Sequence, residues 1–403
     1  PTPDPTPEPT PEPTDDPGPP WADEIATIGA EIAAARGLGT DLPALVELAP
    51  REQRRAIRDA WDATHPEAQV RAEQALLERL GLLPAGSDLR ALTFDALDRR
   101  TGTWLNPADG TLAVIDRGDG WDAADRVSAA AELDAALTRA AFGADALVVA
   151  DPAERDRAIA RAAFGEGESA LVAADWAATG LAPDEAWALT AALPAVDPAV
   201  LAGLPPIVAQ EAWLGTTAGA AYVRSLRDAG GWENVDAAWV KPPASTEQIL
   251  HPDRGPDDRP VRVLLPDLTG LLGEGWTEAT SQVFGELRTL VLVADGAVDG
   301  TDPSGRPIPA NAWAADGWGG DRIVSLDGPD GAWAIVWQTA WDTDADAEEL
   351  AAGVEGALAD LPGAHTVVRG ADLVGDLPAP VLVVVASDEV VLASLLATLG
   401  LGG

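Results

Sequence analysis

Apolar residues recur at helical spacing through most of the first 240 positions. In 24–39 (EIATIGAEIAAARGLG) and 50–63 (PREQRRAIRDAWDA) they return every three or four residues, which predicts amphipathic helices. The same spacing predicts a helix from about Asp122 to Phe142 and another from Pro152 to about Trp176. The second has a natural N-cap in Asp151 and proline at its first position. Further helices are expected over 183–193, 206–229 and 231–239. The segment TGTWLNPADGTLAVIDRG (101–118) reads instead as a hairpin turning at PADG. In the last third the period shortens. PVRVLLP (260–266) reads as a strand, with a helix near 276–293 after it. RIVSLD (322–327) and WAIVWQTAW (333–341) read as two strands joined at GPDG. An acid-capped helix (344–360), strands HTVVRG (365–370) and PVLVVVAS (380–387), and a final helix complete the chain. Strands joined by hairpins or single helices favour an α+β fold over a doubly wound one.

Residues 1–20, PTPDPTPEPTPEPTDDPGPP, break both periods. Proline fixes φ and the acids repel one another, so an extended spacer of roughly 60 Å is expected, at about 3.1 Å per residue. Such a tether suits a domain held away from a wall or membrane. The expectation is an exported surface protein, trimmed of any signal segment, with a lipoprotein-type anchor lost upstream; an inter-domain linker is the alternative.

Composition narrows the function classes. The 403 residues carry 26 basic and 66 acidic side chains, a formal charge of −40. Nucleic acid and anionic lipid both call for clustered cations, so neither is an expected partner. With 47% hydrophobic residues the chain can still build a core. It has no cysteine, hence no disulfide, thiol nucleophile or thiolate metal site. No apolar run is long enough to span a membrane.

Candidate motifs are few. GEGESA (165–170) matches a dinucleotide-type GxGxxA, but a helix precedes it where that motif needs a strand. His65, His251 and His365 lie far apart, with no GxSxG elbow to suggest a triad. Asp342, Asp344 and Asp346 imitate the start of a calcium loop, yet Ala347 and Gly353 stand where it needs Gly and Glu, so a solvated helix N-terminus is the better reading. Trp333, Trp337 and Trp341 share one face of a strand. Exposed, they would form a shelf for sugar rings; packing beneath the C-terminal helices is the preferred expectation.

Several blocks, in order, resemble a family of exported bacterial and haloarchaeal surface proteins that look like zinc metallopeptidases of the gluzincin type. They are ARGLG (35–39), LGLLPAGSDLRAL (80–92), TGTWLNPADGTLAVID (101–116) and AGAAYVRSLRDAGGWENVDAAWVKPPASTEQILHP (218–252). FGEL (284–287), AADGWGGDR (314–322) and TAWDTDADAEEL (339–350) continue the match. The resemblance implies a zincin-like helical core with a small sheet over 21–255, after the 1–20 linker, and an α+β region over 256–403. It also implies an HExxH helix, whose histidines bind zinc and whose glutamate activates water, and a third ligand on a later EGD- or EGE-like helix.

At the matching place this chain reads AELDAALTRAAFG (131–143). Glu132 stands at the position of the catalytic base, Ala131 and Ala135 at those of the histidines, and Glu166 at that of the third ligand. A methyl group cannot coordinate zinc, so no metal or other cofactor is expected. The expected function is that of an inactive, surface-tethered pseudopeptidase that binds a peptide or wall component, or serves as scaffold. Two alternatives stand beside it: a hydrolase using Glu132 and Glu166 as an acid/base pair, and a glycan-binding module using the tryptophans. Arg139, on the same helical stripe, is expected to lean toward the vestigial site, and His251 to join it only if its loop folds over.

Overall fold

A computed structural model describes residues 21–99, 102–115, 121–186, 203–294, 298–301, 307–309 and 311–401, with backbone only for 298–301 and 307–309. The 1–20 spacer and residues 187–193 of the helix expected over 183–193 lie outside the described residues.

The first part is helical: α1 (Trp21–Arg36), α2 (Pro50–Thr64), α3 (Glu67–Arg79), α4 (Leu89–Arg99), α5 (Ala123–Phe142), α6 (Arg155–Gly180), α7 (Pro206–Trp213), α8 (Ala220–Gly230), α9 (Trp232–Val240) and α10 (Thr246–Leu250). Local chemistry sets their ends. Asp122 accepts from the N–H of Asp125 while Asp125 reaches back to the N–H of Asp122, a reciprocal cap that starts α5. Asp151 accepts from Ala153 N and opens a short 3₁₀ turn that runs into α6. The expected hairpin forms as β2 (Trp104–Leu105) and β3 (Leu112–Ile115). A third strand, β1 (Leu45–Leu48), lies parallel to β3.

The second part holds α11 (Leu268–Leu272), β4 (Thr277–Gln282), α12 (Glu286–Val293), the short pair β5 (Val298–Thr301) and β6 (Pro307–Pro309), β7 (Trp318–Asp327), β8 (Trp333–Trp341), α13 (Asp344–Leu358), β9 (Ala364–Arg369), β10 (Val381–Ala386) and α14 (Glu389–Thr398). Five strands make one antiparallel sheet in the order β4-β7-β8-β10-β9. The fold is α+β.

Both faces of that sheet are covered, so its central strands read as continuous apolar runs. Ile335, Trp337, Val381, Val383 and Val385 point to a core shared with α12, α13 and the Leu76–Leu83 segment. Ala334, Val336, Leu382 and Val384 point to the other face, under Leu268 of α11 and Leu392 and Leu395 of α14. The first of these cores joins residues on both sides of position 255. Trp337 and Trp341 are fully buried in it, Trp337 edge-on to Phe284 at 5.3 Å, and Trp333 is half-buried. They pack as expected under the helices and form no exposed shelf.

Three sequence expectations need correction. Residues 260–266 join no sheet: prolines bound the segment, and Val261 N bonds only to Gly319 O at 2.7 Å. The span 276–293 is not one helix. Thr277–Gln282 pairs with β7, and Gly285, at φ +83°, breaks the chain before α12. The 206–229 helix is interrupted by a π-turn at Gly215–Gly219, where α6 passes so closely that Gly167 and Gly219 meet backbone to backbone. That contact accounts for the glycine in GEGESA, which lies inside α6 as the sequence reading required.

Candidate functional site

The positions that the resemblance set against an HExxH helix do not come together as a site. Ala131 and Ala135 pack half-buried into the core of α1, β3 and α5. Glu132 turns to the hairpin, where its Oε2 accepts from Leu105 N at 2.9 Å. Glu166 is exposed on α6 and lines a different cavity, against Gly215. The structure therefore does not bring Glu132 and Glu166 together. Arg139 donates to Pro107 O of the hairpin turn at 3.1 Å, not to either glutamate.

The residues that do bridge these helices lie two positions further along. Asp134 is about 200° round α5 from Glu132 and accepts from Ser169 Oγ of α6 at 3.1 Å. Arg36 of α1 bonds Glu168 at 2.5 Å and Asp236 at 3.0 Å, and lies 3.9 Å from Asp134. Burial, and then the Glu168 charge, hold the Asp134 carboxyl well above its ordinary range; burial likewise raises Glu168. Arg36, Asp134 and Glu168 have no exposed side-chain surface, so this centre is sealed.

A second acidic centre forms where the helical part meets the sheet. It unites blocks the sequence comparison had singled out: STEQILHP, FGEL, AADGWGGDR and the start of TAWDTDADAEEL. Asp156, at the start of α6, accepts from Thr246 N at 3.0 Å and Thr246 Oγ1 at 2.6 Å. Thr246 Oγ1 accepts in turn from Leu287 N. Asp321 of β7 accepts from Phe284 N, Gly285 N and Trp318 Nε1. His251 Nε2 lies 2.6 Å from Glu286 Oε1, and Arg254 ties Glu247 to Asp342 at 2.6 and 2.8 Å.

Crowding of acids in low dielectric favours their protonated forms. Burial pushes Asp156 up to about 7. Burial, reinforced by Glu286 and Asp258, pushes Glu247 up to about 9. Burial also raises Glu286 and Asp321. The hydrogen bond to Glu286 raises His251. Asp156 and Glu247 can hold protons near neutral pH.

A separate cleft of about 980 Å³ shares no lining residue with either centre. Its walls come from α2, α3, α4, α6 and α7 on one side and from residues 278–282 of β4 on the other. Most of the lining is apolar. At its floor the buried Arg288 bridges Glu73 at 2.6 Å and Glu211 at 2.8 Å, and Arg155 reaches Glu211 at 3.1 Å. Burial lowers the pKa of His65, which stacks on Trp61 with ring centres 4.3 Å apart, so a neutral imidazole faces the cleft. Among the described residues β4 is an edge strand, and its first two residues, Thr277 and Glu278, are exposed.

Residues 272–396 match a family described only as a domain of unknown function, DUF8575. That span covers the five-stranded sheet with Glu286, Asp316, Asp321 and Asp342, but not His251 or the helices before it. No curated protein matches the chain, and no solved structure does.

Sequence reasoning placed the chemistry on 131–139 and 166 and gave no role to Asp156, Glu247, Glu286 or Asp321. One signal was available: Asp321 interrupts a strand whose other residues are mostly apolar. A carboxylate so placed must find donors or hold a proton.

Proposed function

We propose that this chain is a non-catalytic, surface-tethered binding protein of gluzincin-like descent, and that its ligand is an extended peptide segment. The cleft beside β4 carries the proposal: about 980 Å³, mostly apolar, walled on one side by an unpaired sheet edge. That volume lies at the upper end for small-ligand sites and leaves room for several side chains. An edge strand offers backbone donors and acceptors to an incoming strand, while alternate side chains of the peptide enter the apolar wall. The Arg288–Glu73–Glu211 floor is already internally paired, so it leaves little charge for a ligand to neutralise. Loss of both HExxH histidines, with Glu132 and Glu166 facing different surroundings, supports binding without cleavage.

Binding of a random peptide library, followed through Trp61 fluorescence, tests this. A cleft peptide should bind intact, with no cleavage product by mass spectrometry. Ala162→Trp places a large ring on an exposed position of the cleft wall and should weaken binding by about tenfold or more, since steric exclusion above 1.4 kcal/mol costs that factor. Library peptides that fail to bind, or that bind Ala162→Trp equally well, would refute the assignment.

A further inference from the structure

We propose that His251, Glu286 and Asp316 form a binding site for a divalent transition-metal ion, independent of the vestigial HExxH positions and of the peptide cleft. One donor atom from each residue lies within 4.8 Å of the others. His251 Nε2 is 2.6 Å from Glu286 Oε1 and 3.8 Å from Asp316 Oδ1. Three parts of the chain supply them: the end of α10, the first turn of α12, and the loop that leads into β7.

The second observation is the state of Glu286. Its side chain is completely buried, yet Oε2 accepts no hydrogen bond. A buried carboxylate oxygen without a donor is costly, and a metal ion supplies the missing charge and bond together. The surroundings add to the demand. Glu247, Asp258 and Asp342 crowd in beside Glu286 and Asp316, and Arg254 is the guanidinium that pairs with them. Access is also built in, because the His251 and Asp316 side chains are 25% and 58% exposed.

The donor set selects the metal. One imidazole with two carboxylates suits zinc or manganese; calcium prefers six to eight oxygens. Tetrahedral zinc with ligands at about 2.0–2.2 Å needs donors roughly 3.3–3.6 Å apart. The ion would therefore replace the direct His251–Glu286 hydrogen bond, opening that pair by about 1 Å while the exposed Asp316 closes in. Water completes the coordination on the solvent side. The sequence reading placed His251 at a metal only if its loop folded over the HExxH helix. Here the loop meets α12 instead.

The test uses the full chain, stripped with a chelator and desalted, with zinc or manganese alone added by calorimetric titration and calcium as control. Zinc or manganese should bind near 1:1, more tightly than calcium, and should shift the imidazole NMR signals of His251 but not those of His365. His251→Ala and Asp316→Asn should each weaken binding by at least about tenfold, the usual scale for losing a partner at a metal site. Asp316 is largely exposed, so Asp316→Asn decides the matter should His251→Ala fail to fold. Absence of stoichiometric binding, unchanged affinity in a folded variant, or a preference for calcium would each overturn the assignment.

Discussion

The Arg36 centre and the His251 junction both bury several carboxylates, yet they differ in what neutralises the charge and in whether solvent can reach it. At the first, one guanidinium with no exposed surface is shared among Asp134, Glu168 and Asp236 and stacks on Trp232 at 4.0 Å. Trp239 Nε1 adds a bond to Glu168 at 2.5 Å. Arg36, Asp134 and Glu168 are closed off from solvent, and only the outer carboxylate, Asp236, reaches it. At the second, the buried acids are held by backbone N–H groups, the Thr246 hydroxyl, the Trp318 indole and one imidazole, with the partly exposed Arg254 pairing Glu247 and Asp342, and with His251 and Asp316 facing solvent. Protons and ions can exchange there. A sealed ion cluster acts as a structural clamp, while an open one can respond to its surroundings.

The largest expected effect breaks the sealed centre. Arg36→Ala strands Glu168 and Asp134 without a cation, and removing one partner of a buried pair costs about 3–5 kcal/mol. Urea unfolding measures it; a loss below about 1 kcal/mol, the scale of an exposed pair, would mean that protons alone satisfy these acids.

Gly285→Ala should damage the open centre almost as much. The residue sits at φ +83°, and a Cβ there would strike the Asp156 carboxylate. Left-handed strain and overpacking together suggest about 2–4 kcal/mol. A variant with unchanged thermal midpoint would show that the 284–286 turn is free to relax.

A smaller effect concerns pH. Asp156 and Glu247 have folded-state pKa values, about 7 and about 9, above those of an unfolded chain. Between the unfolded and folded values the native state binds more protons, so stability falls as pH rises. The raised pKa of His251 acts in the same direction. Stability should decline from pH 5 to pH 8; at about 1.4 kcal/mol per pH unit for each differential proton the unscreened ceiling is about 7 kcal/mol, and solvent access to this junction reduces the loss to a fraction of that. Asp156→Asn should flatten part of that slope; a rise in stability toward pH 8 would contradict the assignment of protons to this junction.

The smallest effect sharpens the contrast from outside both centres. Glu132→Gln keeps an acceptor for Leu105 N, and Glu166 is exposed. Each substitution to Gln should change stability by no more than about 0.5 kcal/mol and leave peptide binding without cleavage. A hydrolytic activity abolished by either would revive the acid/base pair.

The helical stripes of α1, α2, α5 and α6 and the hairpins β2–β3 and β7–β8 were legible because their periods and caps are local. The first part of the helix expected near 276–293 was misread for a related reason, while Glu286–Val293 is helical. TEATSQ has no strong period of its own, and pairing with β7 makes it a strand. At the site, Glu132 and Glu166 could be aligned by resemblance. Whether they met depended on the rotation of α5 and α6 about their axes, which Asp134, Ser169 and Arg36 decide. The role of Gly167 was likewise open until α6 and the π-turn were seen in contact.

What the amino-acid order determined by itself is the α+β character, most element boundaries, the strong net acidity, and the alanines at positions 131 and 135. These follow from side-chain chemistry and spacing within one turn or one strand. Only the tertiary structure decided that Asp156, Thr246, Glu286, Asp316 and Asp321 share one junction, that Trp337 and Trp341 of β8 are fully buried, and that β4 lies at the sheet edge beside a cleft among the described residues. Such facts depend on which distant segments share a core. The packing of α3 and α12 against the sheet, spread over more than two hundred residues of sequence, carries no local signature.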